Sequence, residues 1–275
     1  MKPSSAPVRF RWPRRFFLAA LTLLGAGQAI SQSAPSPTVQ TLPGSRVVTF
    51  LGSTPGWFLC DSIDAPFNAV MGWPDARGLS RLSVYSKASA GQYRFRTYRV
   101  GRADPGAGQI NYALSTSGAF PAPGSAPFFV GAFNTVGTPG AITPGILTLS
   151  SAEASGQCRW VVDTRLLGFS SRRSVLVTET PGGLLTYQTF DNSAPVRVTN
   201  PDGVQRSTVP TLRIVGGSRS VTGTQEVFTF QNAGYTYAVK VARQGQPAGA
   251  SVSVSRGGKL VQQEALTGYT YAVRR

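Results

Sequence analysis

The sequence predicts an all-β protein built from antiparallel β-sandwich packing. Three observations lead there. From residue 46 onward apolar residues recur with period two. No stretch of twelve or more residues beyond the N-terminal leader carries a 3.6-residue period. The chain's 31 Gly and 20 Pro fall between runs of strand length. Charged residues make up 14% and apolar residues 41% of the 275, a balance that excludes a polyelectrolyte-like disordered chain.

The leader reads as an address. Lys2, Arg9, Arg11, Arg14 and Arg15 precede the apolar run Phe16–Leu24, which trails into small residues around Ala29 and Ser31. A basic segment, a short apolar segment and a small-residue end predict a cleaved secretory signal over 1–33. The apolar run is too short to span a bilayer. Arg14-Arg15-Phe16-Phe17-Leu18 also fits a twin-arginine signal. Ordinary secretion is favoured, because a chain with no His and two Cys has little with which to hold a metal or haem cofactor. No transmembrane segment is expected in the mature chain. Residues 34–45 form a Pro/Ser-rich spacer.

Two β regions are expected, 46–150 and 157–275. In the first, Val47–Leu51, Trp57–Cys60, Arg81–Lys87, Gln92–Val100 and Gln109–Leu114 read as strands. Residues 118–145 are rich in Gly and Pro, with one embedded strand at 127–133. Ser150–Gly156 is a short helix or turn and the soft boundary between the regions. In the second, strands are expected at 157–163, 174–179, 184–190, 196–199, 204–207, 212–215, 226–230, 235–241, 252–254, 259–261 and 269–274. Thr180-Pro181-Gly182-Gly183 and Asn200-Pro201-Asp202-Gly203 are hairpin turns. The run Gly234-Tyr-Thr-Tyr-Ala-Val-Lys240 recurs as Gly268-Tyr-Thr-Tyr-Ala-Val-Arg274, a pattern suited to a half-buried strand.

Cys60 and Cys158 are the only cysteines, so an exported chain has one possible bridge. With no His in the chain, Ser-His-Asp and Cys-His chemistry and His-ligated metals are excluded. The sequence holds no GxSxG elbow, no Walker loop, no GxGxxG after a strand and no SxxK. No cofactor and no metal site are expected.

The remaining signal is charge. The whole chain carries 27 Lys+Arg against 11 Asp+Glu; removing the leader takes five bases and no acid, leaving +11, with nineteen of the bases Arg. The richest basic cluster is Arg94, Arg96, Arg99 and Arg102, interleaved with Tyr93, Phe95 and Tyr98. Strand geometry puts Arg94, Arg96 and Tyr98 on one face. If Arg81, Tyr85 and Lys87 share that face across a hairpin, the two strands make a basic platform with aromatic rings. The expected function is that of a secreted, non-enzymatic β-sandwich protein of the bacterial cell envelope or medium. Its cationic surface would dock on anionic polysaccharide, lipid headgroups or an envelope protein; nucleic acid meets the same charge requirement but is a weaker fit. One alternative is a His-free polysaccharide hydrolase using the Asp61 and Asp64 carboxylates. Another is a structural or adhesive module that assembles through strand edges. The oligomeric state is left open.

Overall fold

The computed structural model describes residues 45–106, 108–122, 124, 126–133, 145–159, 163–243 and 248–274. The expected signal sequence over 1–33, residues 34–44 of the spacer, the Gly/Pro-rich stretch 134–144 and Trp160–Val162 of the expected strand 157–163 lie outside the described residues.

Strands follow one another along the chain, and no helix occurs among the described residues. The first nine are β1 (Ser45–Leu51), β2 (Thr54–Asp61), β3 (Phe67–Gly72), β4 (Leu79–Ser86), β5 (Tyr93–Pro105), β6 (Gln109–Ser115), β7 (Phe128–Phe133), β8 (Ile146–Ser150) and β9 (Ser155–Gln157). Then come β10 (Thr164–Phe169), β11 (Arg173–Glu179), β12 (Leu185–Asp191), β13 (Val198–Thr199), β14 (Gln205–Arg206) and β15 (Leu212–Val215). The last six are β16 (Gly217–Thr222), β17 (Gln225–Asn232), β18 (Tyr235–Ala242), β19 (Ala250–Arg256), β20 (Lys259–Ala265) and β21 (Gly268–Arg274). Fourteen strands form one antiparallel sheet in the order β15-β12-β11-β10-β21-β1-β2-β3-β4-β5-β6-β7-β8-β9. β16–β20 form a second sheet as a simple meander, and β13–β14 a small ribbon. The all-β, antiparallel, layered class expected from the sequence is the class observed.

The long sheet does two things. From β2 to β9 it rolls up on itself. Ser62, just past β2, pairs with Cys158, just past β9; Ile63 N donates to Gln157 O at 2.9 Å and Arg159 N to Asp61 O at 2.7 Å. The roll is therefore closed by backbone pairing, and the Cys60–Cys158 disulfide crosses the seam. Alternate residues point inward: Phe58 and Cys60, then Phe67, Ala69 and Met71, then Leu82 and Val84 fill the interior with Tyr98, Val100, Leu114, Val130 and Leu149.

The remainder of the long sheet, β15 to β1, packs face to face on the meander. Leu166, Val175, Val177, Tyr187, Tyr269 and Tyr271 meet Phe228, Phe230, Val239, Val241 and Val252. The repeated Tyr-x-Tyr strands serve this core: Tyr269 and Tyr271 are buried in it and Tyr237 packs against it. A third cluster joins roll to sandwich, with Leu59 and Val70 from the outside of the roll against Leu167, Phe169, Leu176 and Phe190. There Gly268 is required by close approach. A Cβ at this position would lie 2.6 Å from the Phe169 ring and 2.9 Å from Val70.

Both predicted turns form. Gly183 N donates to Thr180 O and Gly203 N to Asn200 O, with both glycines at positive φ. Ser150–Gly156, the expected boundary, is the turn from β8 into β9 and forms no helix. Strands β3, β8, β10 and β16 are additional to those expected, and β9 meets the expected strand 157–163 only at Gln157.

Candidate functional site

The basic cluster lies on the β4–β5 hairpin, and its register decides what faces what. Val84 opposes Arg94, Leu82 opposes Arg96 and Ser80 opposes Tyr98; in alternation, Tyr85 opposes Tyr93, Ser83 opposes Phe95 and Arg81 opposes Thr97. Directly opposed residues share a face. Arg94, Arg96 and Tyr98 therefore lie on one face, as expected, but it is the face of Leu82 and Val84 that lines the roll. Arg81 and Tyr85 lie on the outer face. The single platform expected from the sequence does not form, because the hairpin register separates its two halves.

On the inner face, three of the expected residues converge on Glu153 in the β8–β9 turn. Arg94 Nη2 donates to its backbone oxygen, Arg96 Nε to Oε1 and the Tyr98 hydroxyl to Oε2. Ala152 N donates to the Tyr98 oxygen at 2.9 Å. Burial, and then the adjacent Glu153 carboxylate, push the Tyr98 phenol up to about 12. Glu153 itself is buried. The sequence offered it only as one carboxylate among eleven acids. Its role depends on the roll bringing residue 153 beside residues 94–98.

Beside this cluster a cleft of about 440 Å³ opens at the mouth of the roll. Ala65, Pro66, Phe67, Val84 and Ala154 give it an apolar lining, and Arg94, Gln92, Tyr93, Glu153, Ser86 and Ser155 give it polar groups. Its size and mixed lining are those of a small-molecule site.

The outer face carries the aromatic component. Tyr93 and Phe95 are 56% and 55% exposed. Tyr93 stacks on Tyr85 with centroids 5.3 Å apart, and the Arg81 guanidinium sits 3.7 Å over the Phe95 ring. Further along, Arg99 lies over Phe120 and donates to Arg77 O at 2.9 Å. Arg102 is exposed, within the bulge between Val100 and Ala103.

Lys87 belongs to neither face's display. Its ammonium is largely buried and donates to Asp61 Oδ1 and Ser62 O. Asp61 is fully buried, and Arg159 Nε donates to its second oxygen at 2.7 Å. Desolvation is the strongest influence on Asp61 and works to raise its pKa, but the Lys87 and Arg159 charges together hold the carboxyl at about 2. For Lys87 desolvation prevails, leaving the ammonium below its ordinary value even beside Asp61. Asp61 is thus a permanently ionised counter-charge near neutral pH and not a proton donor. Asp64 accepts from Ser62 Oγ and from Gln157 N at 2.8 Å. Asp75 lies in a separate turn, accepting from Arg77 N and Leu79 N. Among the described residues no three carboxylates or cysteines converge as metal ligands. Compared with known proteins, the chain matches no family model, no curated protein and no solved structure.

Proposed function

We propose that the chain is an exported, disulfide-bridged binding module that holds an acidic polysaccharide of the cell envelope at the β4–β5 hairpin. The observation that carries this reading is the cleft at the mouth of the roll, whose lining combines Arg94 and Tyr93 with the apolar Ala65, Pro66, Phe67 and Val84. Sugar rings present apolar C–H faces that pack on such linings and stack on aromatic side chains, and a guanidinium fork fits their carboxylates. Tyr93, Phe95 and Arg81 continue the same chemistry around the hairpin. Export is supported by the basic-apolar leader and by the disulfide.

Binding without cleavage is favoured over hydrolysis. A glycosidase needs two facing carboxyl groups. Among its described lining residues the cleft has one, Glu153, and both its oxygens accept hydrogen bonds from Arg96 and Tyr98. The test is calorimetric titration with oligogalacturonate at two salt concentrations. Arg94→Ser is expected to weaken binding about 10- to 100-fold, Phe95→Ser by less, and added salt to weaken both remaining affinities. Titrations unaltered by either substitution would remove the site.

A further inference from the structure

The cleft has a neighbour. A second cavity of about 200 Å³ shares Ala65 and Pro66 with it, so these two residues form the ridge between them. Its walls come from segments far apart in sequence: Lys87 at the start of the β4–β5 turn, Phe190 and Asn192 at the end of β12, and Arg197 and Ser207 flanking the β13–β14 ribbon.

The charges around this cavity are not evenly matched. Asp61 is one carboxylate serving two cations, Lys87 and Arg159. Arg159 lies behind the cavity wall, its guanidinium 3.3 Å over the Phe190 ring. Two of the three Lys87 N–H groups go to Asp61 and Ser62 O, leaving one. Arg197 is exposed and makes no ion pair among the described residues. The one acid among the described lining residues, Asp191, is paired with Arg173 at 3.5 Å. Repulsion from Arg197 is among the causes that lower the Lys87 pKa, after desolvation. A bound anion between the two would relieve it.

We infer that the ligand is a polymer that crosses the Ala65–Pro66 ridge, with one acidic sugar in the cleft at Arg94 and the carboxylate of a following sugar between Lys87 and Arg197. This rests on the reading of the cleft given above. Lys87 is tied into the seam, so Arg197, which is exposed, is the residue to change.

The experiment is a titration of the full mature chain with galacturonate, digalacturonate and tetragalacturonate, using wild type, Arg197→Ser, Arg94→Ser and, as a charge control on the far sheet, Lys240→Ser. The tetramer should bind wild type at least about 10-fold more tightly than the monomer. Arg197→Ser should abolish that gain while leaving monomer binding unchanged, and Lys240→Ser should preserve it. Equal affinity for monomer and tetramer, a gain that survives Arg197→Ser, or an equal loss from Lys240→Ser each overturns the second subsite while the cleft reading stands. Wild type that binds none of the three overturns both.

Discussion

The roll and the sandwich use one long sheet in two ways. In the roll the sheet encloses a core with its own inner face, so a single line, where β9 returns to β2, must be sealed. The sealing groups are concentrated there: the backbone pairs at 61–63 and 157–159, the Cys60–Cys158 bridge, and Asp61 between Lys87 and Arg159. In the sandwich two sheets close over each other, and the chain itself crosses between them, from β15 to β16 at Gly216 and from β20 to β21. Stabilisation there is spread over apolar faces, with ion pairs set among them. A bulge at Arg165 accompanies a fully buried guanidinium that meets Glu179 at 3.0 Å and Glu226 at 3.3 Å. A roll has open ends and a sandwich does not, and the candidate cleft lies at such an end.

The comparison can be broken at the seam first. Replacing both Cys60 and Cys158 by Ala should cost about 4–5 kcal/mol by urea unfolding, since the bridge closes a 98-residue separation; a loss under about 1 kcal/mol would mean that backbone pairing alone seals the roll. Next, Asp61→Asn removes the charge shared by two buried cations, and Arg165→Ala removes the buried guanidinium that meets Glu179 and Glu226, the latter keeping Arg219, each at about 3–5 kcal/mol. If the two halves are independent, these costs add to within about 0.5 kcal/mol in the double variant. Strong non-additivity would show that the third core cluster couples them.

A smaller effect sharpens the same point through pH. The Asp61 carboxyl is lowered from 3.8 unfolded to about 2 folded. A depressed carboxyl contributes stability that is present above the unfolded value and is lost as pH falls through the folded one. About 2 kcal/mol should therefore disappear between roughly pH 4 and pH 2. Asp61→Asn should flatten that part of the stability profile; an unchanged slope in the variant would assign the acid lability elsewhere. The smallest expected effect is on the outer hairpin face. Arg81→Ser and Phe95→Ser should each shift stability by no more than about 0.5 kcal/mol, leaving any change in binding attributable to the surface.

Where one face of a strand meets solvent or a partly filled space, the period-two pattern made it legible. Where both faces are covered the pattern vanishes. β3 reads Phe-Asn-Ala-Val-Met, with Asn68 only 1% exposed, because its two sides face the roll interior and the sandwich. β10 is buried along its whole length for the same reason. β16, Gly-Ser-Arg-Ser-Val-Thr, fails in the opposite way: it is an edge strand exposed throughout and carries no apolar face to read. The site was half legible. Alternation put Arg94, Arg96 and Tyr98 together. Both faces of β5 carry rings, so the sequence did not reveal which one turns inward, nor that Glu153 would meet it.

By itself the sequence determined the fold class, the two hairpin turns and the disulfide pairing. Each depends on local spacing or simple counting: side-chain alternation, the φ angles that Pro and Gly permit, and two cysteines with one way to join. The tertiary structure alone decided the closure of the roll, the separation of the basic cluster into inner and outer sets, and the conversion of Asp61 and Lys87 into a buried pair. Those outcomes depend on register and on contacts between residues as far apart as 61 and 159, which local patterns do not encode.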